Sequence, residues 1–268
     1  MSVASLRMYD LAEFRGALEA WWSGLARHLR RQGVTPVPDR LSQDADHRAP
    51  WRRPDLCLAQ TCGYPLTHDF RGLLTVIATP CYTAPGCEGS SHRSLVVVGE
   101  DHPARTLADL RGAVAAYNSR DSNSGYNVLR AMLAPHARGG RFLARSFESG
   151  SHVASLLAVQ QRRADLAAID CVTYALGKRH RPQLVAGLRV VAEGPPTPSL
   201  PYVTAGGADP EQLARYRAGL MNACADDRLR DCRDALLLAG AELIPEGAYE
   251  EIGRIEQAAI KQGYPELG

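Results

Sequence analysis

The chain has 268 residues, 45% hydrophobic and 22% charged, which is typical of a soluble globular protein with one large or two ordinary domains. A net charge of +2 argues against a dedicated nucleic-acid-binding surface. No apolar stretch reaches the ~20 residues of a membrane span, and no secretory signal pattern is recognised. The sequence as written therefore predicts a cytoplasmic protein without membrane insertion; a periplasmic or extracellular location would follow if a signal segment had been removed.

The first hundred residues predict an α/β arrangement. Short apolar runs predict strands at 4–9, 56–59, 73–78 and 94–98. Between the first two, segment 11–31 has the spacing of an amphipathic helix with two tryptophans on its inner face. Tyr9 and Asp10 are expected at the carboxyl end of the first strand. Gln60 and Thr61 end the second, with Tyr64 close behind.

The most informative stretch follows a predicted domain crossing at 99–103 and a capped helical turn at 106–112. A buried strand over 113–117 leads to the turn Asp-Ser-Asn-Ser-Gly at 121–125, and a helical face begins at Val128. Backbone N–H groups at a helix start, the helix dipole and serine hydroxyls together favour an anion. The same pattern also fits a helix that is merely well capped.

Two further junctions share this form. Ser-Gly-Ser-His at 149–152 leads into an apolar helix face, and the strand after that helix ends on Asp170. The turn behind Gln60 is the third junction. Open α/β sheets bind their ligands at the carboxyl ends of parallel strands. The sequence therefore predicts that such polar turns gather at a sheet edge and bind a ligand.

The remaining segments complete a two-domain layout. A strand is predicted at 188–192, a proline-rich crossing at 193–201 and a returning strand at 202–205. Helices are predicted at 210–225, 228–239 and 249–262. The expected first lobe comprises residues 1–100 and 200–268, and the second lobe, inserted into it, comprises residues 101–199.

The cysteines do not indicate a disulfide framework or a metal site. Seven cysteines without a repeating spacing give poor support for such a framework, although Cys81 and Cys87 could close a disulfide in an oxidising compartment. There is no Cys-x-x-Cys and no His-x-x-x-His spacing, which argues against structural zinc. We expect neither a metal nor a cofactor.

These motifs, in this order, resemble the phosphonate, phosphite and phosphate family of ABC-transporter substrate-binding proteins. The segments 107–112, 121–125, 149–152 and 164–170 carry the resemblance, which extends from about residue 55 to residue 205. It implies a type 2 periplasmic-binding-protein fold: two α/β lobes, each a mostly parallel sheet flanked by helices, with a ligand cleft between them.

The resemblance also implies a function and a site. A non-catalytic, monomeric protein would close on phosphate, phosphite or a phosphonate and deliver it to an ABC permease. In that family the oxyanion lies on the serine turn and on the Ser-His helix start. The implied ligand-binding residues are Ser122, Asn123, Ser124, Gly125, Tyr126, Ser151 and His152, with Gln60, Thr61 and Tyr64 on the opposite wall.

Several assignments stay open at this point. Arg93 is an anion clamp or an exposed strand-edge arginine, and Asp170 caps the next helix, selects a cationic ligand tail, or does both. An enzyme on the same fold is the main alternative, with Cys62 as nucleophile and His92 or His152 as base. A cytoplasmic ligand sensor is a third possibility.

Overall fold

The computed structural model of the chain describes residues 2–9, 11–44 and 46–268; Asp10, expected at the end of the first strand, lies outside them. The strands are β1 (Val3–Ser5), β2 (Leu56–Gln60), β3 (Leu74–Tyr82), β4 (Ser91–His92), β5 (Ser94–Gly99), β6 (Val114–Tyr117), β7 (Arg145–Glu148), β8 (Leu166–Asp170), β9 (Leu188–Glu193), β10 (Thr197–Pro198), β11 (Tyr202–Ala205) and β12 (Leu238–Glu242). The α-helices are α1 (Arg15–Arg31), α2 (Gly63–Thr67), α3 (Val128–Leu133), α4 (His152–Gln160), α5 (Cys171–His180), α6 (Pro210–Ala225), α7 (Arg230–Ala235) and α8 (Glu250–Lys261).

The chain divides into two compact units that interrupt each other in sequence. The first unit comprises Met1–Thr83, Glu88–Ser90 and Pro198–Glu246. The second unit comprises Ala84–Cys87, Ser91–Thr197 and Gly247–Gly268. These boundaries differ from the predicted ones chiefly at β5 and at the C-terminal segment with α8, both of which belong to the second unit.

The first unit is built on a five-stranded mixed sheet in the order β1-β2-β11-β3-β12. Strands β1 and β2 pair in parallel, whereas β11 and β12 are antiparallel to their neighbours. The returning strand predicted at 202–205 is therefore confirmed. Helix α1 buries Trp21, Trp22 and Leu25 almost completely, so its tryptophans are core residues.

The second unit has a five-stranded sheet in the order β7-β6-β8-β5-β9. Strand β6 is parallel to both β7 and β8, and β5 is antiparallel to both β8 and β9. Four strands therefore point in one direction, and only β5 opposes them. Apolar residues of the strands, α3 and the C-terminal segment share one core.

The C-terminal segment joins the second unit through side chains that the sequence pattern does not reveal. Asn127 donates a hydrogen bond to the Ile252 carbonyl at 3.0 Å, and the Arg130 guanidinium is 3.1 Å from the Glu256 carboxylate. Tyr264, near the end of the chain, is fully buried in the core of this unit. These long-range contacts explain why the predicted lobe boundary at residue 200 did not capture the final helix.

Two predicted elements are wrong in detail. The predicted helix 228–239 ends at Ala235, and the chain turns at Leu237, with φ of 56°, into β12. Strand β12 pairs with β3, so cross-strand hydrogen bonds replace the helical ones. The strand predicted over 4–9 ends at Ser5, and a 3-10 turn follows over Arg7–Tyr9. Among the described residues, no helix is long and apolar enough to span a membrane.

Candidate functional site

Three polar turns of the second unit lie at one edge of its sheet. Because β7, β6 and β8 are parallel neighbours, their carboxyl ends meet at that edge. Strand β6 leads to the serine turn, β7 leads to α4, and β8 leads directly to α5. The antiparallel strand β5 begins at the same edge, since Ser94 is paired with Asp170. We call the three junctions (residues 121–125, residues 149–152 and Asp170), together with His92, the anion edge.

The serine turn is held together by its own side chains. The Ser122 hydroxyl accepts a hydrogen bond from the Gly125 N–H at 3.0 Å, which caps a π-helical turn over Asn123–Asn127. The Asn123 amide donates to the Thr197 hydroxyl at 3.1 Å and accepts from the Asn127 amide. Both Ser122 and Asn123 are buried. Their side chains therefore shape the turn.

Gly125 allows an unusually close approach between the serine turn and its neighbours. A Cβ atom at this position would be 1.9 Å from the Asn118 side-chain oxygen and 3.2 Å from Cε1 of His152. Asn118 was not among the predicted site residues. Its side-chain oxygen is buried and has no hydrogen-bond partner among the described residues. Its only sequence signal is its position directly after strand β6.

Ser124 and His152 come together from two different helix starts. The Ser124 hydroxyl is 3.0 Å from Nε2 of His152, as expected if both turns lie at the same edge. Ser151 caps α4, and its hydroxyl accepts from the Ala154 N–H at 3.0 Å. The first backbone N–H groups of a helix have no partner within the helix. Two helix starts and one hydroxyl–imidazole pair are thus gathered in one place.

His152 is electrostatically linked to a second histidine and a carboxylate. Burial lowers the pKa of His152, and the nearby His92 lowers it further, whereas Asp170 opposes this change; the net direction is below its usual value. A lowered pKa favours the neutral imidazole at neutral pH. Neutral His152 has one N–H to donate and one ring nitrogen to accept.

Asp170 has internal partners for both of its carboxylate oxygens. Oδ1 accepts from the N–H groups of Val172 and Thr173 at 2.8 and 3.0 Å, which caps α5. Oδ2 is 2.7 Å from Nδ1 of His92, and both side chains are only 2% exposed. The capping role considered for Asp170 is therefore confirmed. The pairing with His92 was not predicted, because it requires β5 to lie beside β8.

The pKa values of this pair move in opposite directions. Burial alone would raise the pKa of Asp170, but the charge and hydrogen bond of His92 lower it below the usual range. Burial alone would lower the pKa of His92, but the charge and hydrogen bond of Asp170 raise it. Both directions favour a charged pair, His92⁺ with Asp170⁻, inside the second unit.

Two other predicted residues of this unit have clear structural roles. Tyr126 is buried in the core, where it makes an edge-on contact with Tyr117 at 4.9 Å between ring centroids. Arg93 is half-buried, and its guanidinium donates to the Gly194 carbonyl at 2.9 Å. Arg93 is thus tied to its own unit, and its proposed role as an anion clamp stays a prediction.

The predicted residues of the opposite wall belong to the first unit. The Gln60 amide is buried and donates to the Tyr82 hydroxyl at 2.9 Å and to the Leu200 carbonyl at 3.0 Å. Thr61 is fully buried, and its N–H donates to the Pro201 carbonyl. Tyr64 is half-buried and stacks on His68 with centroids 3.9 Å apart. Their contact with a ligand stays a prediction.

The residues of the enzyme alternative are divided between the units. Cys62, the half-buried N-cap residue of α2, belongs to the first unit, whereas His92 and His152 belong to the second. Among the described residues, no group of three His, Cys, Asp or Glu side chains could hold a metal ion.

Comparisons with known proteins agree with this architecture. A family model described as "ABC transporter, phosphonate, periplasmic substrate-binding protein" matches residues 18–244. PhnD1 of Prochlorococcus marinus, solved with methylphosphonate, is 15% identical, with a TM-score of 0.75 over 97% of this chain and 98% of that chain. A phosphonate-transporter binding protein of Pseudomonas aeruginosa is 16% identical, with a TM-score of 0.75 over 97% and 87% of the two chains.

A protein of Xanthomonas citri, solved with ATP, is 18% identical, with a TM-score of 0.70 over 97% of each chain. A search among curated proteins found no match. At these identities the structural likeness establishes the type 2 periplasmic-binding-protein fold, and the family model establishes the family. The family is periplasmic, so the expected cytoplasmic location is not supported. Its description as a transporter component implies a small ligand and a permease partner. This chain therefore belongs to the family of periplasmic substrate-binding proteins of phosphonate ABC transporters.

Proposed function

We propose that this protein binds a small phosphorus oxyanion, such as phosphate, phosphite or a simple phosphonate, at the anion edge of its second unit. The two lobes would close around the ligand, and an ABC permease would receive it. The observation that carries the proposal is the meeting of Ser124 and His152, 3.0 Å apart, at the starts of two helical segments.

The chemistry of these groups suits an oxyanion. Helix starts provide backbone N–H donors and a positive dipole end. The Ser124 hydroxyl and the His152 ring are hydrogen-bonded to each other. When a ligand binds, each could instead donate a hydrogen bond to a ligand oxygen. Hydrogen bonds to a charged group are stronger than those between neutral groups. The neutral form of His152, favoured by its lowered pKa, still supplies one donor.

The partners of Asp170 support a ligand without a cationic tail. A carboxylate that selects an amine needs an oxygen available to that amine. Both oxygens of Asp170 already accept from backbone N–H groups or from His92, and the charge of His92 offsets its own. We infer that methylphosphonate, phosphite and phosphate are better candidates than aminoalkyl phosphonates.

Calorimetric titration with methylphosphonate, phosphite, phosphate and sulfate tests the proposal. A ligand at about 100 times its Kd stabilises the folded protein by about 2.7 kcal/mol. Since ~1 kcal/mol shifts the Tm of a large domain by roughly 2–4 °C, a thermal-shift screen should show several degrees. If none of these anions shifts the Tm at millimolar concentration, the proposal is wrong.

Variants then locate the site. Hydrogen bonds to a charged ligand contribute about 1.5–3 kcal/mol each, so Ser124→Ala and His152→Ala should each weaken binding roughly ten- to a hundredfold. Ser23→Ala on α1 and His136→Ala after α3 are matched controls that should leave Kd unchanged. The double variant should show a coupling energy of at least ~0.5 kcal/mol if both side chains contact one anion. Unchanged affinity in both single variants would place the ligand elsewhere.

A further inference from the structure

Two cysteines far apart in the sequence lie side by side in the second unit. The sulfur atoms of Cys87 and Cys171 are 3.5 Å apart, although 84 positions separate them in the chain. Cys171 is buried and is the first residue of α5, directly after Asp170; Cys87 is half-buried. The sequence suggested Cys81 as the partner of Cys87, but Cys81 lies in β3 of the first unit.

The loop that carries Cys87 is shaped to approach Cys171. Gly86 has φ of +93°, and a Cβ atom there would be 3.1 Å from Cβ of Cys171 and 3.3 Å from its sulfur. A turn closes behind it, since the Cys87 N–H donates to the Ala84 carbonyl at 3.0 Å. The backbone N–H of Arg93 donates a hydrogen bond to the Cys171 sulfur, with 3.5 Å between nitrogen and sulfur. A glycine in a left-handed conformation thus allows the close contact between loop and helix start.

We propose that Cys87 and Cys171 form a reversible disulfide when the protein meets a disulfide oxidant, such as oxidised glutathione or a thiol–disulfide oxidase. The sulfurs need to approach by about 1.5 Å to reach the bonded distance of about 2.05 Å. This chain belongs to a family of periplasmic proteins, and the periplasm is an oxidising compartment. The oxidised form is thus expected where such a receptor works.

The order of the two steps follows from exposure and charge. The hydrogen bond with Cys87, burial and the Asp170 carboxylate raise the pKa of the Cys171 thiol well above its usual range. Cys87, the more exposed thiol, is the one that the oxidant reaches; its thiolate attacks the oxidant disulfide, which releases one small thiol and forms a mixed disulfide. Cys171 then loses its proton and attacks the Cys87 sulfur, releasing the second small thiol. Two protein thiols are oxidised and one disulfide is reduced to two thiols.

The disulfide would attach a chain crossing to the anion edge. Ala84–Cys87 belongs to the second unit, whereas Thr83 before it and Glu88–Ser90 after it belong to the first. The disulfide would link the segment Ala84–Cys87 covalently to Cys171, the residue that follows Asp170. It would also close a long loop, which restricts the unfolded chain.

Thiol mapping on the whole protein tests this inference without any ligand. The reduced protein is treated with oxidised glutathione, remaining thiols are blocked with N-ethylmaleimide, and intact mass and peptide mass are measured. We expect two of the seven thiols to be lost and a peptide linked through Cys87 and Cys171, which dithiothreitol reverses. Cys87→Ser or Cys171→Ser should abolish the linked species, and Cys81→Ser should leave it intact.

Three results would overturn the proposal: a Cys81–Cys87 link, seven free thiols after oxidation, or only a stable glutathione adduct on Cys87. Cys81 is a suitable control because burial and Glu242 raise the pKa of its thiol to about 12. The closed loop should raise the Tm of the oxidised protein by roughly 5–15 °C over the reduced form. Equal Tm values for the two forms would contradict the stabilising role. Anion binding can fail while the disulfide forms, so the two proposals are tested separately.

Discussion

Replacing Asp170 with alanine tests the buried charge pair of the second unit. The variant removes the cap of α5, a loss that costs about 0.5–2 kcal/mol, and it leaves His92 buried without its partner. Breaking a buried ion pair costs about 3–5 kcal/mol. Because the side chains of Asp170 and His92 are only 2% exposed, we expect the cost of the broken ion pair to dominate. The Tm should then fall by roughly 6–20 °C.

The matched control is Ser151→Ala, because Ser151 caps α4 through the same kind of hydrogen bond but has no buried charge partner in the part of the chain that the structure describes. It should cost only about 1 kcal/mol of unfolding free energy. Unfolding is best followed by circular dichroism or calorimetry. Tryptophan fluorescence would report on the first unit and not on the second, which carries Asp170 and Ser151. All three tryptophans of the chain, Trp21, Trp22 and Trp51, lie in the first unit.

The pH dependence makes this test sharper. The raised pKa of His92 means that its stabilisation is fully present below the ordinary histidine value of about 6.5 and is lost as the pH rises through the raised value. The lowered pKa of Asp170 means that its stabilisation is present above about 4 and is lost as the pH falls through the lowered value.

The penalty of Asp170→Ala should therefore be greatest between about pH 4 and 6.5 and should shrink at higher pH. The reasoning would be refuted if Asp170→Ala and Ser151→Ala were equally destabilising at pH 6. A penalty that grew steadily from pH 6 to pH 9 would refute it as well, because the charged pair would then not be its cause.

Three further predictions follow from single contacts. Gly125→Ala should lower both the Tm and the affinity for methylphosphonate, because the new Cβ meets the Asn118 oxygen at 1.9 Å; Gly253→Ala on α8, which has nothing within 4 Å, should change neither for the worse. Gln60→Ala should destabilise the first unit by about 1–3 kcal/mol, seen by tryptophan fluorescence, since it leaves the Leu200 carbonyl without its donor. Methylphosphonate should bind at least as tightly as aminomethylphosphonate in a calorimetric titration; a clear preference for the amine would contradict the pairing of Asp170 with His92.

Much of the second unit could be predicted because helix starts are encoded locally. A cap residue and the N–H groups that it accepts from lie within three positions of each other, as at Ser122, Ser151 and Asp170. The apolar spacing behind each cap identifies the helix that follows. The pattern therefore located the polar junctions in which these three caps lie, and the resemblance to a known family related them to an anion. Ligand contact at these residues stays a prediction.

Two of the errors involve partners that are distant in the chain. Residues 238 and 239 were predicted as the end of a helix, yet they belong to β12, because β3 offers this strand a ladder of hydrogen bonds. The lobe boundary was misplaced because Asn127 and Arg130 bind the C-terminal segment more than 120 positions away.

The sequence by itself determined where the strands of the second unit end, where its helices begin and which of their first residues are polar, because these features depend on neighbours in the chain. Only the tertiary structure decided that Ser124 meets His152, that His92 neutralises Asp170 and that Cys87 lies beside Cys171 instead of pairing with Cys81. Each of these pairs depends on which strands are neighbours and on their direction. Strand order is set by the packing of the whole sheet, which no local pattern contains.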